Sequence, residues 1–232
     1  MKLSNLKMTI LLLAAMLVLF GAQPCLAQAP PTGLAGEIIA ARQKNDALVR
    51  QYSWECRTDV LLDGVSKDLR IEQVNYGPGG QLQRTLINDQ SAPLPFGFWA
   101  ARVAEEARAQ VQQALVGLRG LLDQYTLPSA GKIVSFISPG TISAPDANGV
   151  LQVTGGSVVV PGDLLSMWVD ARTRLPRRMR IMTYYQGYQV TATATFNTLA
   201  TGLSYMAYGQ MDVPATGITV QVQNFDYLKP NN

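Results

Sequence analysis

Between Tyr52 and Leu86 the apolar positions recur at every second residue. Tyr52, Trp54, Cys56, Thr58, Val60 and Leu62 share one parity, and Ser53, Glu55, Arg57 and Asp59 hold the other. A period of two is the signature of a strand with one dry and one wet face. Asp63–Gly64 then supplies a hairpin turn, because both residue types tolerate positive φ. Leu69 and Ile71 alternate with Asp68, Arg70 and Glu72. Val74 and Tyr76 are apolar on the opposite parity, which places a β-bulge near Glu72–Gln73. The run GPGG (Gly77–Gly80) turns the chain again, and Leu82, Arg84 and Leu86 share a face of the next strand. The pattern predicts three antiparallel strands in a meander.

Elsewhere the period changes. Leu34, Ile38, Ile39, Ala41 and Leu48 fall near helical spacing within residues 33–52. After a linker, NDQSAPLPFG, the residues Trp99, Val103, Ala107, Val111, Leu115, Leu118, Leu122 and Tyr125 step by three and four. This predicts a long amphipathic helix, divided at Gly117 and Gly120, each glycine costing up to ~1 kcal/mol. Pro128 stops it, and a short apolar piece, Ile133–Ile137, follows. Beyond Val150 the chain reads as strand and turn. In YQVTATATFNT, Tyr188, Val190, Ala192, Ala194 and Phe196 alternate with polar residues, and SYMAYG and ITVQVQNFDY repeat the period of two. Strand runs on both sides of helical ones predict one α+β domain, with an antiparallel sheet wet on one side and helices on the other.

The first residues bear on compartment. Lys2 and Lys7 precede an apolar run, Met8–Phe20, and the small residues of GAQPCLAQA follow. Thirteen helical residues span roughly 20 Å, short of the ~30 Å hydrocarbon core. The segment therefore reads as a signal peptide, residues 1–27, cleaved after Ala27 and leaving residues 28–232 as a single exported domain. Lipid anchoring at Cys25 is disfavoured by the proline before it. Cleavage takes the basic side chains from 19 to 17 against 16 acidic ones, a net charge of +1. Nothing in that balance supports a nucleic-acid partner. Cys56 remains alone, so no internal disulfide is expected, and its parity with Trp54 and Val60 marks it as a buried small hydrophobe.

The chain contains no histidine. That removes Ser-His-Asp and Cys-His catalysis and most zinc or haem sites, and no glycine-rich phosphate loop is present. A carboxylate pair drawn from Asp59, Asp63, Asp68, Glu72, Asp163 or Asp170 remains formally open, although most of these fall at turns or on polar faces. No catalytic residue, metal site or cofactor is expected.

Apolar strand surface is the resource in surplus. It either forms an ordinary core under the helices or leaves a slot between sheet and long helix. Candidate linings of such a slot are Trp54, Val60, Leu69, Ile71, Trp99, Val103, Met167, Met179, Ile181, Val190, Ala192 and Ala194. The two alanines would leave room, and the methionines adapt to variable chains. An acyl chain would gain ~0.8 kcal/mol per buried CH₂ there.

One turn is strongly cationic. In MWVDARTRLPRRMRI five arginines crowd nine residues: Arg172, Arg174, Arg177, Arg178 and Arg180. Asp170 can close the turn by accepting from amides two or three residues on. Arg178 and Arg180 share one parity, and Met179 and Ile181 the other. The arginines form either a soluble face that deters edge pairing or a basic rim for phospholipid headgroups or an acidic partner.

The order of these pieces resembles the LolA/LolB-like superfamily of periplasmic lipoprotein carriers and related lipid-binding proteins. The signal peptide, N-terminal helix, first meander (YSWECRTDVLLDG…LRIEQVNYGPGGQLQ) and the hairpin LLSMWVDARTRLPRRMRI leading into YQVTATATFNTL carry the likeness, over roughly residues 33–227. The resemblance implies a strongly curved antiparallel sheet, an incomplete β-barrel or half-barrel, with helices in or over its concave face. It implies a non-enzymatic binder or carrier of a hydrophobic ligand in the periplasm, with lipid or lipoprotein acyl chains as partners and transient membrane-surface contact. The alternative is a structural or interaction protein of the cell envelope, its barrel filled by its own helices and docked on another envelope protein.

Overall fold

The computed structural model describes residues 33–91, 113, 115–126 and 129–229. The leader, the expected cleavage site, and the first half of the expected long helix, with Trp99 and Val103, lie outside the described residues. Three helices are described: α1 (Leu34–Val49), α2 (residues 115–125) and α3 (Ala130–Ile137). The strands are β1 (Ser53–Leu62), β2 (Val65–Tyr76), β3 (Leu82–Ser91), β4 (Thr141–Ile142), β5 (Val150–Gly156), β6 (Leu164–Asp170), β7 (Pro176–Tyr185), β8 (Tyr188–Thr198), β9 (Ser204–Val213) and β10 (Ile218–Leu228).

All ten strands form one antiparallel sheet in the order β3-β2-β1-β10-β9-β8-β7-β6-β5-β4. Two meanders, β1–β3 and β4–β10, are joined where β1 pairs β10, with Val60 opposite Val220 and Thr58 opposite Val222. The first hairpin turns at Asp63 (φ 50°) and Gly64 (φ 78°), the two consecutive positive values of a type I′ turn.

The expectation of a strongly curved, incomplete barrel is corrected: the sheet is open and neither closed nor strongly curled. Alternation fixes which face is buried, but it is the same in a flat sheet and a curled one. Closure requires edge strands that pair along their length, and here the edges are β3, of 10 residues, and β4, of two.

A second correction concerns β2. A register shift does fall at Ile71/Glu72, but the extra residue is Ile87 on β3, opposite β2. Against β1, the strand runs straight through Glu72 and Gln73. Val74 therefore shares a face with Asp68, Arg70 and Glu72, and Leu69 and Ile71 lie on the other.

The helices cover one face. Ile38 and Ile39 of α1, Leu118 and Tyr125 of α2, and Ile133, Phe136 and Ile137 of α3 pack on Val153, Leu165, Met167, Ile181, Val190, Ala192 and Met211. In α1 the buried residues Ala35, Ile38 and Ile39 all lie in the N-terminal half. Its second half is held by polar contacts: Asn45 accepts from the Ser204 amide and donates to the Ser204 carbonyl, both at 2.8 Å. Gly117 does not divide α2. The Tyr185 hydroxyl occupies the place a Cβ would take, so glycine here permits close approach of helix and strand.

The helix layer is pinned by one buried polar cluster. The Tyr125 hydroxyl donates to Asp163 Oδ2 at 2.6 Å and accepts from the Thr183 hydroxyl at 2.7 Å. The amides of Val158, Val159 and Val160 donate to the same carboxylate at 2.7–2.8 Å. Tyr125→Phe should cost about 1–3 kcal/mol, because a buried carboxylate and a buried threonine each lose a partner. Urea unfolding followed by circular dichroism measures the loss, and an unchanged midpoint would contradict it.

Candidate functional site

Register assigns the twelve apolar candidates to different surroundings. Met167, Ile181, Val190 and Ala192 are buried on the helix-side face beneath α2 and α3. One step further along the same strands, Met179 and Ala194 are only half-buried. Val60 is buried on this face, and Trp54 belongs to a second cluster with Cys56 and Val74. Leu69 and Ile71 face the opposite side, across from Asp59 and Arg57. Trp99 and Val103 lie outside the described residues.

Around Met179 and Ala194 runs a strip of small and flexible side chains. Ala194 pairs with Gly209, Phe196 with Met206, and Gly209 with Val222. Met179, Phe196, Met206 and Val222 are each half-buried. The Met206 thioether lies beside Gly209, where an added Cβ would meet its sulfur at 3.4 Å. Met206 is one of several methionines that the sequence places on strand faces, but neither it nor Gly209 is among the twelve candidate linings. The bulge that aligns Met206 with Phe196 leaves no mark in the alternation.

The same face turns polar toward the β3 edge. Arg70 and Asp68 pair at 2.9 Å, and Arg84 Nη1 meets Glu72 Oε2 at 2.7 Å. Burial opposes the Arg84 charge, but Glu72 and the Cys56 sulfur, 3.8 Å away, outweigh it and raise its pKa. Between strip and charges stands the aromatic cluster. Trp54 stacks on Tyr227 at 5.4 Å between centroids, and Tyr205 meets Tyr227 at 4.3 Å. Asp226, at φ 52°, lets the pair Asp226–Tyr227 face Trp54 alone, which turns Tyr227 inward. Burial, with Tyr205, Cys56 and Tyr76 nearby, pushes the Tyr227 hydroxyl well up. Beside this cluster an open recess of about 390 Å³ is lined by Arg50, Tyr76 and Gly77–Gly80.

The five hairpin arginines divide by role. Arg177 donates to Asp170 Oδ2 through Nη2 at 2.7 Å, and Arg174 Nε to Glu37 of α1 at 2.5 Å. These two are clasps. Arg178 lies over the Trp168 ring at 5.1 Å, on the face away from the helices. Arg180 lines a groove of about 160 Å³ on that face with Gln152, Leu164, Ser166, Trp168 and Met182. Arg172 is exposed at the turn.

The two most perturbed carboxylates are structural acceptors. Burial pushes Asp163 up, but Tyr125 and the amides of Val160, Val159 and Val158 outweigh it and hold the carboxyl below its ordinary range. Burial likewise opposes the Asp170 charge, while Arg177 and the amides of Thr173 and Arg172 bring it down to about 2. Both are fixed in the ionised form, far from the range useful for proton transfer at neutral pH. Among the described residues no group of three or more Cys, Asp or Glu side chains converges to hold a metal.

No known family model matches the chain, and no curated protein matches it. Among solved structures it is similar to a LolA superfamily protein from Nitrosomonas europaea, with a TM-score of 0.36, 13% identity, and coverage of 84% of this chain and 94% of that one. It is also similar to a domain from Vibrio parahaemolyticus described as an outer membrane lipoprotein-sorting protein, with a TM-score of 0.33, 11% identity, and coverage of 84% and 92%. Likenesses this distant carry no conclusion about ligand or partner.

Asp170 gives the site region a definite acid response. Its folded pKa, about 2, lies below the ordinary 3.8. The resulting stabilisation, about 2 kcal/mol, is fully present above pH ~4 and lost as pH falls toward ~2. Asp170→Asn should remove this part of the acid limb and lower stability at neutral pH, as read by thermal melts across that range. An acid limb of unchanged slope would refute the assignment.

Proposed function

We propose that the protein is an exported, non-enzymatic binder of an acyl-chain amphiphile in the periplasm. The observation that carries this reading is the uneven sealing of the helix-side face. Ile181 and Ala192 are buried, whereas Met179 and Ala194, two residues along, are half-exposed beside Gly209 and the flexible Met206. An alkyl chain laid along this strip would gain ~0.8 kcal/mol per methylene removed from water. The same face ends in the ion pairs Arg70–Asp68 and Arg84–Glu72, a charged border that stops the apolar strip and would leave a headgroup in a wet, polar setting. The carboxylates with depressed pKa values are committed to structural donors, which favours binding over catalysis.

The wet face fits delivery at a membrane surface. Leu164 and Tyr184 are exposed there, near Trp168, Arg178 and Arg180. Aromatic rings and guanidinium groups together suit the headgroup region of a bilayer.

A second reading, an interaction protein of the envelope without a lipid cargo, is favoured by the packing over β5–β8. There Met167, Val190 and Ala192 share a closed cluster with Leu118, Tyr125 and Phe136.

Delipidated protein should take up a fluorescent fatty acid, and lipid should accompany the untreated protein in native mass spectrometry. Ala194→Leu, at a half-buried position on the strip, should weaken uptake about tenfold or more with little change in melting temperature. Absence of uptake in folded protein would overturn the carrier reading in favour of the second. In that case, changing Arg178 and Arg180 to glutamate should abolish capture of the envelope partner.

A further inference from the structure

The two edges of the sheet are unlike. At one, β4 is two residues long; at the other, β3 offers 10 residues with neither lysine nor proline. Residues 82–90 are all exposed, Leu86 and Ile87 each at 53%. Proteins usually blunt such an edge, because its free amides and carbonyls template strand addition.

The order of residues along β3 is self-complementary. Reversed about the Leu86–Ile87 bond, the strand LQRTLINDQS sets Arg84 against Asp89, Thr85 against Asn88 and Gln83 against Gln90. In a regular strand Arg84 and Asp89, five apart, would point to opposite faces. The extra residue Ile87 changes this: Arg84 pairs with Val74 and Asp89 with Arg70, two positions of equal parity on β2. Arg84 and Asp89 therefore share a face, as do Thr85 and Asn88, opposite Gln73 and Ile71. The bulge that would hinder pairing with an arbitrary strand makes this one register consistent on both faces.

We propose that β3 is a homotypic docking edge: two copies of the chain pair antiparallel through β3 about a two-fold axis at Leu86–Ile87, extending the sheet across both molecules. Cross-strand Arg84–Asp89 contacts form twice, once on each side of the axis. A guanidinium with five N–H donors serves Glu72 and a carboxylate across the seam together. Leu86 and Ile87 of the two copies meet at the centre and lose their exposure. A one-strand seam is small, so association is weak and concentration-dependent. The proposal is independent of the acyl-chain reading, since the edge contributes no residue to the strip.

Sedimentation velocity of the purified protein over a wide concentration range should show a reversible monomer–dimer equilibrium. Arg84→Asp and Asp89→Arg each place like charges opposite one another and should raise the dimer dissociation constant about tenfold. The double exchange should restore it. Because both residues also have contacts within the chain, Ile87→Lys, at an exposed position, provides an independent disruption. A mixture of Thr85→Cys and Asn88→Cys proteins should form an intermolecular disulfide that neither forms alone. A wild-type chain that stays monomeric, a double exchange that fails to restore pairing, or equal crosslinking in the unmixed proteins would each overturn the proposal.

Discussion

A carboxylate at 3% exposure is an expensive thing to bury, and the helix layer is arranged around making it tolerable. Asp163 closes its own loop by gathering three consecutive valine amides, and it takes a fourth donor from Tyr125. That fourth bond is the long-range one. It ties α2 to the segment between β5 and β6, and Thr183 extends the tie to β7. Apolar packing gives the helices a preference for the sheet but little preference for angle or position. The directional bonds at Tyr125 select one placement, from which Phe136 and Leu118 find their neighbours.

Similar clasps set α1. Glu37 reaches Arg174 in the β6–β7 turn, Asn45 grips Ser204 at the start of β9, and Tyr52 meets Thr201 at 2.9 Å in the turn between β8 and β9. These turns lie at one end of the sheet, so the helix is laid across the strand ends. Burial is densest over β5–β8 and thinner toward Met206 and Val222. The surface left there is bounded by Trp54 and Tyr227 and, beyond them, by the ion pairs of β2 and β3.

Much of this fold is legible in the residue order, because local rules act on adjacent residues. The alternation from Trp54 to Val60, the Asp63–Gly64 turn and the spacing of Leu118, Leu122 and Tyr125 each state an element. Asp170 even announces its turn. What local rules omit is where elements meet. Nothing near Val60 names Val220 as its partner, and a register shift cannot be assigned to β2 or β3 from the sequence of one strand. For that reason Leu69 and Ile71 were expected on the apolar side and lie on the other. Curvature is invisible for a related reason: the alternation is unchanged by bending, and the curled sheet was an implication of resemblance. The clasps at Asn45, Glu37 and Asp163 were likewise beyond reach, since a polar residue's partner lies far off in sequence.

The arginine-rich hairpin shows why charge density alone misleads. Five cations in nine residues invite a search for a polyanion, yet Arg174 and Arg177 are consumed by Glu37 and Asp170. Their carboxylate partners sit at the turn itself or on the helix packed beside it, so the local field is much smaller than a count of arginines implies. Of the other three arginines, Arg172 is exposed at the turn, while Arg178 and Arg180 are set among Trp168, Met182 and Leu164 rather than among other charges. An acidic protein surface would gain little from that apolar setting. A bilayer interface, where rings and methylenes sit beside phosphates, would gain from both, and that is the setting in which the proposed carrier would present this face.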